Sequence, residues 1–103
     1  IDIRDLVLDP LAYKDKLIYL RGQVFFIQKT GTTYALQMWS SYPGAGIFDR
    51  EAVVVIYEGD LTGVYEDTYI DVYGIGAGTF TGTNAYGGTI VQPRIVAAHI
   101  LVP

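Results

Sequence analysis

Few side chains in this chain can do chemistry, and their types sort quickly. His99 is the single histidine, and there is no cysteine. It lies among Val96, Ala97, Ala98 and Ile100 in a β-type run, which favours a structural place. The only serines, Ser40 and Ser41, sit next to a Pro- and Gly-containing stretch without the G-x-S-x-G pattern of a nucleophile elbow. Glu58, Asp60, Glu66 and Asp67 flank one connection but lack the D-x-[DN]-x-[DN]-G spacing of a calcium loop, so they read as solvated charge. The run at 74–78 has the form G-x-G-x-G with no Lys-Ser/Thr after it, which suits bends rather than phosphate binding. No catalytic residue, metal site or cofactor is expected.

Aromatic residues form the one conspicuous group: nine Tyr, four Phe and one Trp. Flat π-faces on a sheet stack bases when Arg or Lys follows the phosphates. The same residue types anchor protein interfaces. The candidate binding residues are Tyr19, Arg21, Trp39 and Tyr73 on outward strand positions, Lys29 at the first hairpin, and Tyr42, Phe48, Phe80 and Tyr86 in loops.

Five β-type runs must position these groups. Run 16–29 puts Ile18, Leu20, Gly22 and Val24 on one face and Tyr19, Arg21, Gln23 and Phe25 on the other. The consecutive Val24-Phe25-Phe26-Ile27 breaks this alternation, as a strand does where it bends between sheets. Thr30-Gly31-Thr32 signals a hairpin into run 33–39, whose Tyr34, Leu36 and Met38 form the core face. Residues 40–51 read as a long loop around Pro43, Gly44 and Gly46. Run 52–57 is apolar on both faces and needs cover on both, from this chain or a partner. A polar connection follows at 58–67. Run 69–78 carries Gly74, and 76–88 reads as a hairpin tip or mobile loop. The last run, 89–102, is expected to be interrupted at Pro93, which suits an edge or a bulge. Ahead of them, Ile3, Leu6 and Val7 share a helical face, Asp2 caps it and Pro10 ends it at Asp9.

Glycines inside two long strands, Gly22 and Gly74, point to a small, strongly coiled barrel. The order of helix, Gly-containing strand, hairpin, strand, second Gly-containing strand, Gly-rich loop and final strand resembles an OB-fold. More narrowly it resembles the bacterial tRNA-anticodon-binding-like OB domains. The matching residues are Tyr13-Lys14-Asp15-Lys16 running into Leu20-Arg21-Gly22-Gln23-Val24, then Asp71-Val72-Tyr73-Gly74. Gly87-Gly88-Thr89 and Pro93-Arg94-Ile95-Val96-Ala97 complete the match. The resemblance implies an all-β, five-stranded Greek-key barrel with a short N-terminal helix, spanning 1–103 as one domain. It departs from that pattern at 58–67, where many members carry a helix.

Seven Lys and Arg against eleven Asp and Glu give a net charge of −4, which counts against a nucleic-acid partner. No apolar run reaches the roughly 18–20 residues of a membrane span. The reading is therefore a non-enzymatic binding or assembly module that meets a protein partner or itself, within a larger extracytoplasmic protein or complex. An apolar surface of Trp39, Tyr42, Ile47 and Phe48 beside run 52–57 would serve it. The alternative is a single-stranded nucleic-acid-binding domain using Arg21, Lys29 and Trp39.

Overall fold

Residues 2–41, 50–83 and 86–103 are described by a computed structural model. The chain forms helix α1 (Ile3–Leu8), a 3-10 helix at Pro10–Tyr13, and strands β1 (Leu17–Thr30), β2 (Thr33–Ser41), β3 (Arg50–Glu58), β4 (Tyr69–Thr83) and β5 (Thr89–Leu101). The strands close into a barrel in the order β1-β2-β3-β5-β4. Only β3 and β5 run parallel; every other pair is antiparallel.

Strand β1 joins both halves of the barrel. Its first half pairs with β4 and its second with β2, and Gly22 belongs to both ladders, opposite Ile70 and Ser40. A Cβ there would lie 2.6 Å from the Trp39 carbonyl oxygen, so only glycine lets β2 close against the corner. Gly74 serves β4 in the same way. A Cβ on it would meet the Val96 carbonyl oxygen at 2.2 Å, beside a register shift in the β4–β5 ladder. The hairpin between β1 and β2 turns on Gly31 and Thr32, with Gly31 at φ +62°.

Inward-facing Ile18, Leu20, Val24, Leu36, Met38, Val53, Val55, Ile70, Val72 and Ile95 make the core. Helix α1 contributes Ile3 and Leu6 to it, whereas Val7, expected on the same face, is 37% exposed. The helix starts as the sequence predicts: the Asp2 carboxylate accepts from the Arg4 N–H, and the Asp5 carboxylate accepts from the Asp2 N–H. Residues 59–68 contain no helix.

Three expectations change. Ser40 is not in a loop: it is buried in β2, and its hydroxyl donates to the Arg21 carbonyl. The stretch at 79–83 is not a loop either. It continues β4 and pairs residue by residue with 89–93, because alternating threonine and Phe80 favour extended backbone. Strand β5 continues through Pro93, and what lies there is the bulge that the proline suits rather than a break in the strand. That residue pairs with Thr79 at a register shift and precedes the first β3 pairing at Arg94, so its missing N–H breaks no regular ladder.

Candidate functional site

The break in alternation at Val24–Ile27 is a β-bulge, and it creates the most distinctive surface. Val24 pairs with inward Met38, and Phe26 pairs with outward Gln37, leaving Phe25 as the extra residue. Two successive phenylalanines therefore face outward, over β2. On β2 and β3 the same outer face carries Ala35, Gln37, Trp39, Ala52, Val54 and Ile56. Phe26 and Phe80 flank a groove of about 360 Å³ floored by Val54 and Ile56, with Arg94 on its β5 side. Among the described residues, no carboxylate lines it. Phe26 and Phe80 are 42% and 40% exposed, so their rings remain accessible.

Polar side chains order this face. Gln37 Nε2 donates to Gln92 Oε1 at 2.9 Å, and that bond spans β3 from β2 to β5. It supplies the outer cover that apolar β3 required, and Val54 is only 5% exposed. Arg94 Nε donates to the Ala77 carbonyl at 3.1 Å, which fixes the root of its guanidinium beside the groove. Its terminal nitrogens have no partner among the described residues.

Towards the start of β3 the face ends in a stack. The Phe25 and Trp39 rings lie 4.4 Å apart and 29° from parallel, and the Arg50 guanidinium carbon sits 4.6 Å over the Trp39 ring. Glu51 and Pro93 lie around it.

The other predicted residues are elsewhere. Tyr19, Arg21 and Tyr73 share the outer face of β1 and β4, away from Trp39 and Phe80. The Tyr19 and Tyr73 rings are 4.9 Å apart, and His99 lies 6.3 Å beyond Tyr73. Arg21 Nε and Nη2 donate to the Asp71 carboxylate at 2.7 and 3.0 Å, and Tyr19 Oη donates to it at 2.7 Å. Asp71 is 7% exposed, and hydrogen bonds from Arg21 and then Tyr19 hold its carboxyl below the usual carboxylate range. The same contacts raise Tyr19 and Arg21. A guanidinium held in this way is a structural clamp between strands. Lys29 sits at the first hairpin with its ammonium 5.4 Å from the Tyr34 ring. Beside it, Thr32 and Thr33 hydroxyls donate to Glu58, and those bonds lower its carboxyl. Tyr86 is almost wholly exposed in the β4–β5 connection. Tyr42, Ile47 and Phe48 lie outside the described residues.

The backbone and its strand order are similar to a small single-stranded DNA-binding protein from Streptomyces coelicolor, at TM-score 0.64 and 12% identity, covering 86% of this chain and 94% of that one. The barrel is an OB-fold. A mitochondrial single-stranded DNA-binding protein from S. cerevisiae is similar over 86% of this chain and 95% of that one, at TM-score 0.59 and 9% identity. Aspartyl tRNA synthetase from Entamoeba histolytica is similar over 99% of this chain and 20% of the synthetase, at TM-score 0.63 and 17% identity. No protein-family model matches the chain, and no curated protein matches its sequence. The likeness is one of fold, and the narrower tRNA-anticodon-binding-like grouping is not established by it.

Phe25, Phe26, Arg50, Arg94, Gln37 and Gln92 were not among the sequence candidates. The signal for the two phenylalanines was present in Val24–Ile27: a bulge, unlike a bend, puts neighbouring residues on one face.

Proposed function

We propose that this OB barrel is a non-catalytic module that binds single-stranded nucleic acid across the outer face of β2 and β3. The carrying observation is the groove between Phe26 and Phe80, which combines accessible aromatic faces, an ordered arginine and, among the described residues, no carboxylate. Aromatic rings accept any base by stacking, at about 1–3 kcal/mol per base, and guanidinium groups take the phosphates. In OB-folds generally this face and its flanking hairpins hold oligonucleotides. The similarity to two single-stranded DNA-binding proteins supports the same reading at the level of fold.

Fluorescence anisotropy with a labelled single-stranded oligonucleotide tests it. Phe26→Ala and Phe80→Ala should each weaken binding by about five- to 150-fold. Tyr73→Ala, on the other face, should leave it within two-fold. Absence of single-strand binding, or an equal loss from Tyr73→Ala, rejects the proposal.

A second reading rests on a different surface. Leu17, Tyr73 and Val96 surround an apolar depression on the β1–β4–β5 side and are 90%, 43% and 42% exposed. That patch supports a protein contact or self-association, and a solution mass at a multiple of 11.3 kDa would favour the latter.

A further inference from the structure

We propose that Trp39 is a base-stacking position masked by the chain's own Arg50, whose guanidinium leaves the ring when a strand binds. The inference rests on the nucleic-acid reading above and adds a built-in competitor to it. Trp39 stands on β2 between β1 and β3, with Phe25 reaching it from one side and Arg50 from the other. Phe25 stacks at 4.4 Å and the guanidinium carbon lies at 4.6 Å. Phe25 on β1 and Arg50 on β3 approach the ring from the two strands that flank β2, so the indole is covered from both sides. A base stacks on Trp39 only by removing one of them.

The two neighbours differ in how firmly they are held. Phe25 is the extra residue of the bulge, half-buried, with fixed backbone on either side. Arg50 is exposed at the first residue of β3, and among the described residues no carboxylate pairs with it. Among the described residues, the ring is what holds its guanidinium. A cation over an exposed aromatic ring is favoured by about two- to five-fold. A base stacked on an aromatic ring is favoured by about five- to 150-fold. The base therefore wins, and the released guanidinium stays beside the strand as a phosphate contact. In the free protein the same group shields an aromatic surface from water.

Trp39 is the only tryptophan, so its emission reports this position alone. The test compares wild type, Arg50→Ala and Arg50→Lys, titrated with an unlabelled single-stranded oligonucleotide over 20–500 mM salt. Removing the competitor restores the fraction of protein with an open ring, which tightens intrinsic binding by about three- to six-fold. Losing one phosphate contact flattens the salt slope by about 0.7. Arg50→Ala should therefore bind more weakly than wild type at low salt and more tightly at high salt, with Trp39 quenched throughout. Arg50→Lys keeps the charge but stacks poorly, so it should match the wild-type slope and bind more tightly at every salt concentration. If both variants bind no more tightly than wild type at any salt, or Trp39 emission stays constant as the strand binds, the masking proposal is overturned. The groove reading survives that result as long as Phe26→Ala still weakens binding. Failure of all three proteins to bind a single strand overturns both.

Discussion

The electrostatics of the proposed interface give a number that can be checked before any variant is made. Arg50 and Arg94 stand on the outer face of β2, β3 and β5, and Lys29 is the cation at the neighbouring hairpin. A strand lying there meets two or three cations. Each phosphate neutralised on a single strand contributes about −0.7 to the slope of log affinity against log salt. The expected slope is about −1.4 to −2.1, so raising salt from 50 to 200 mM should weaken binding roughly 7- to 18-fold. Anisotropy titrations at five salt concentrations measure it directly. Arg94→Ala should reduce the slope by about 0.7, whereas Arg21→Ala should leave it unchanged, because that guanidinium is committed to Asp71 on another face. A slope steeper than about −3.5 would rule out this face as the binding surface, since it needs five phosphate contacts and this face cannot supply them. A change on Arg21→Ala would place the strand on the β1–β4 side instead.

Three further outcomes test the scaffold. Gly74→Ala should destabilise the barrel by about 2–3 kcal/mol, since its Cβ would meet backbone atoms that cannot yield, and should lower Tm by roughly 8–20 °C in calorimetry; a fall under about 2 °C would contradict the close approach. Asp71 and Glu58 both have carboxyls depressed below their ordinary values of 3.8 and 4.5. The stability they contribute is complete above those values and is lost as pH falls through the lower folded-state ones, so urea midpoints should be flat near neutrality and drop below about pH 4.5. Asp71→Asn should cost about 1–2 kcal/mol at pH 7 and blunt that acid loss; an unchanged acid limb would show that the clamp is not its source. Glu58→Ala frees the hydroxyls of Thr32 and Thr33, so the Gly59 amide, which donates to the Thr32 carbonyl, should exchange about two- to ten-fold faster by NMR.

Much of the barrel was legible because its signals are local. Alternation marked the inward faces of β1 and β2, Gly31 marked the hairpin, and Asp2 and Pro10 bounded the helix. The missed features depend on register, which a single strand's pattern does not specify. Arg21 and Asp71 are fifty residues apart in the chain, and their bond exists because the two strands pair them directly. Arg50 reaches Trp39 because it enters β3 opposite Ser41, next to the ring's own strand position. Gln37 and Gln92 meet only because β3 separates β2 from β5 by one strand. Sequence reasoning therefore found aromatic residues and cations but assigned two surfaces to one site.

The same distinction between local and global resolves the apparent conflict of an acidic chain with an anionic ligand. A net charge of −4 is a property of the whole molecule, while a bound strand feels charges within about a Debye length, roughly 8 Å at physiological ionic strength. The barrel measures 32 × 31 × 29 Å, so charges on its far side are largely screened from the groove. Nine of the eleven carboxylates fall in residues 2–15 and 58–71, and none of the nine lines the groove. Two of them, Asp2 and Asp71, are ion-paired with Arg4 and Arg21, which removes both the acid and the base from any long-range field. Among the described residues, what remains beside Phe26, Phe80 and Trp39 is Arg50 and Arg94 against Glu51. That balance suits a surface whose affinity comes mainly from stacking, with modest help from charge.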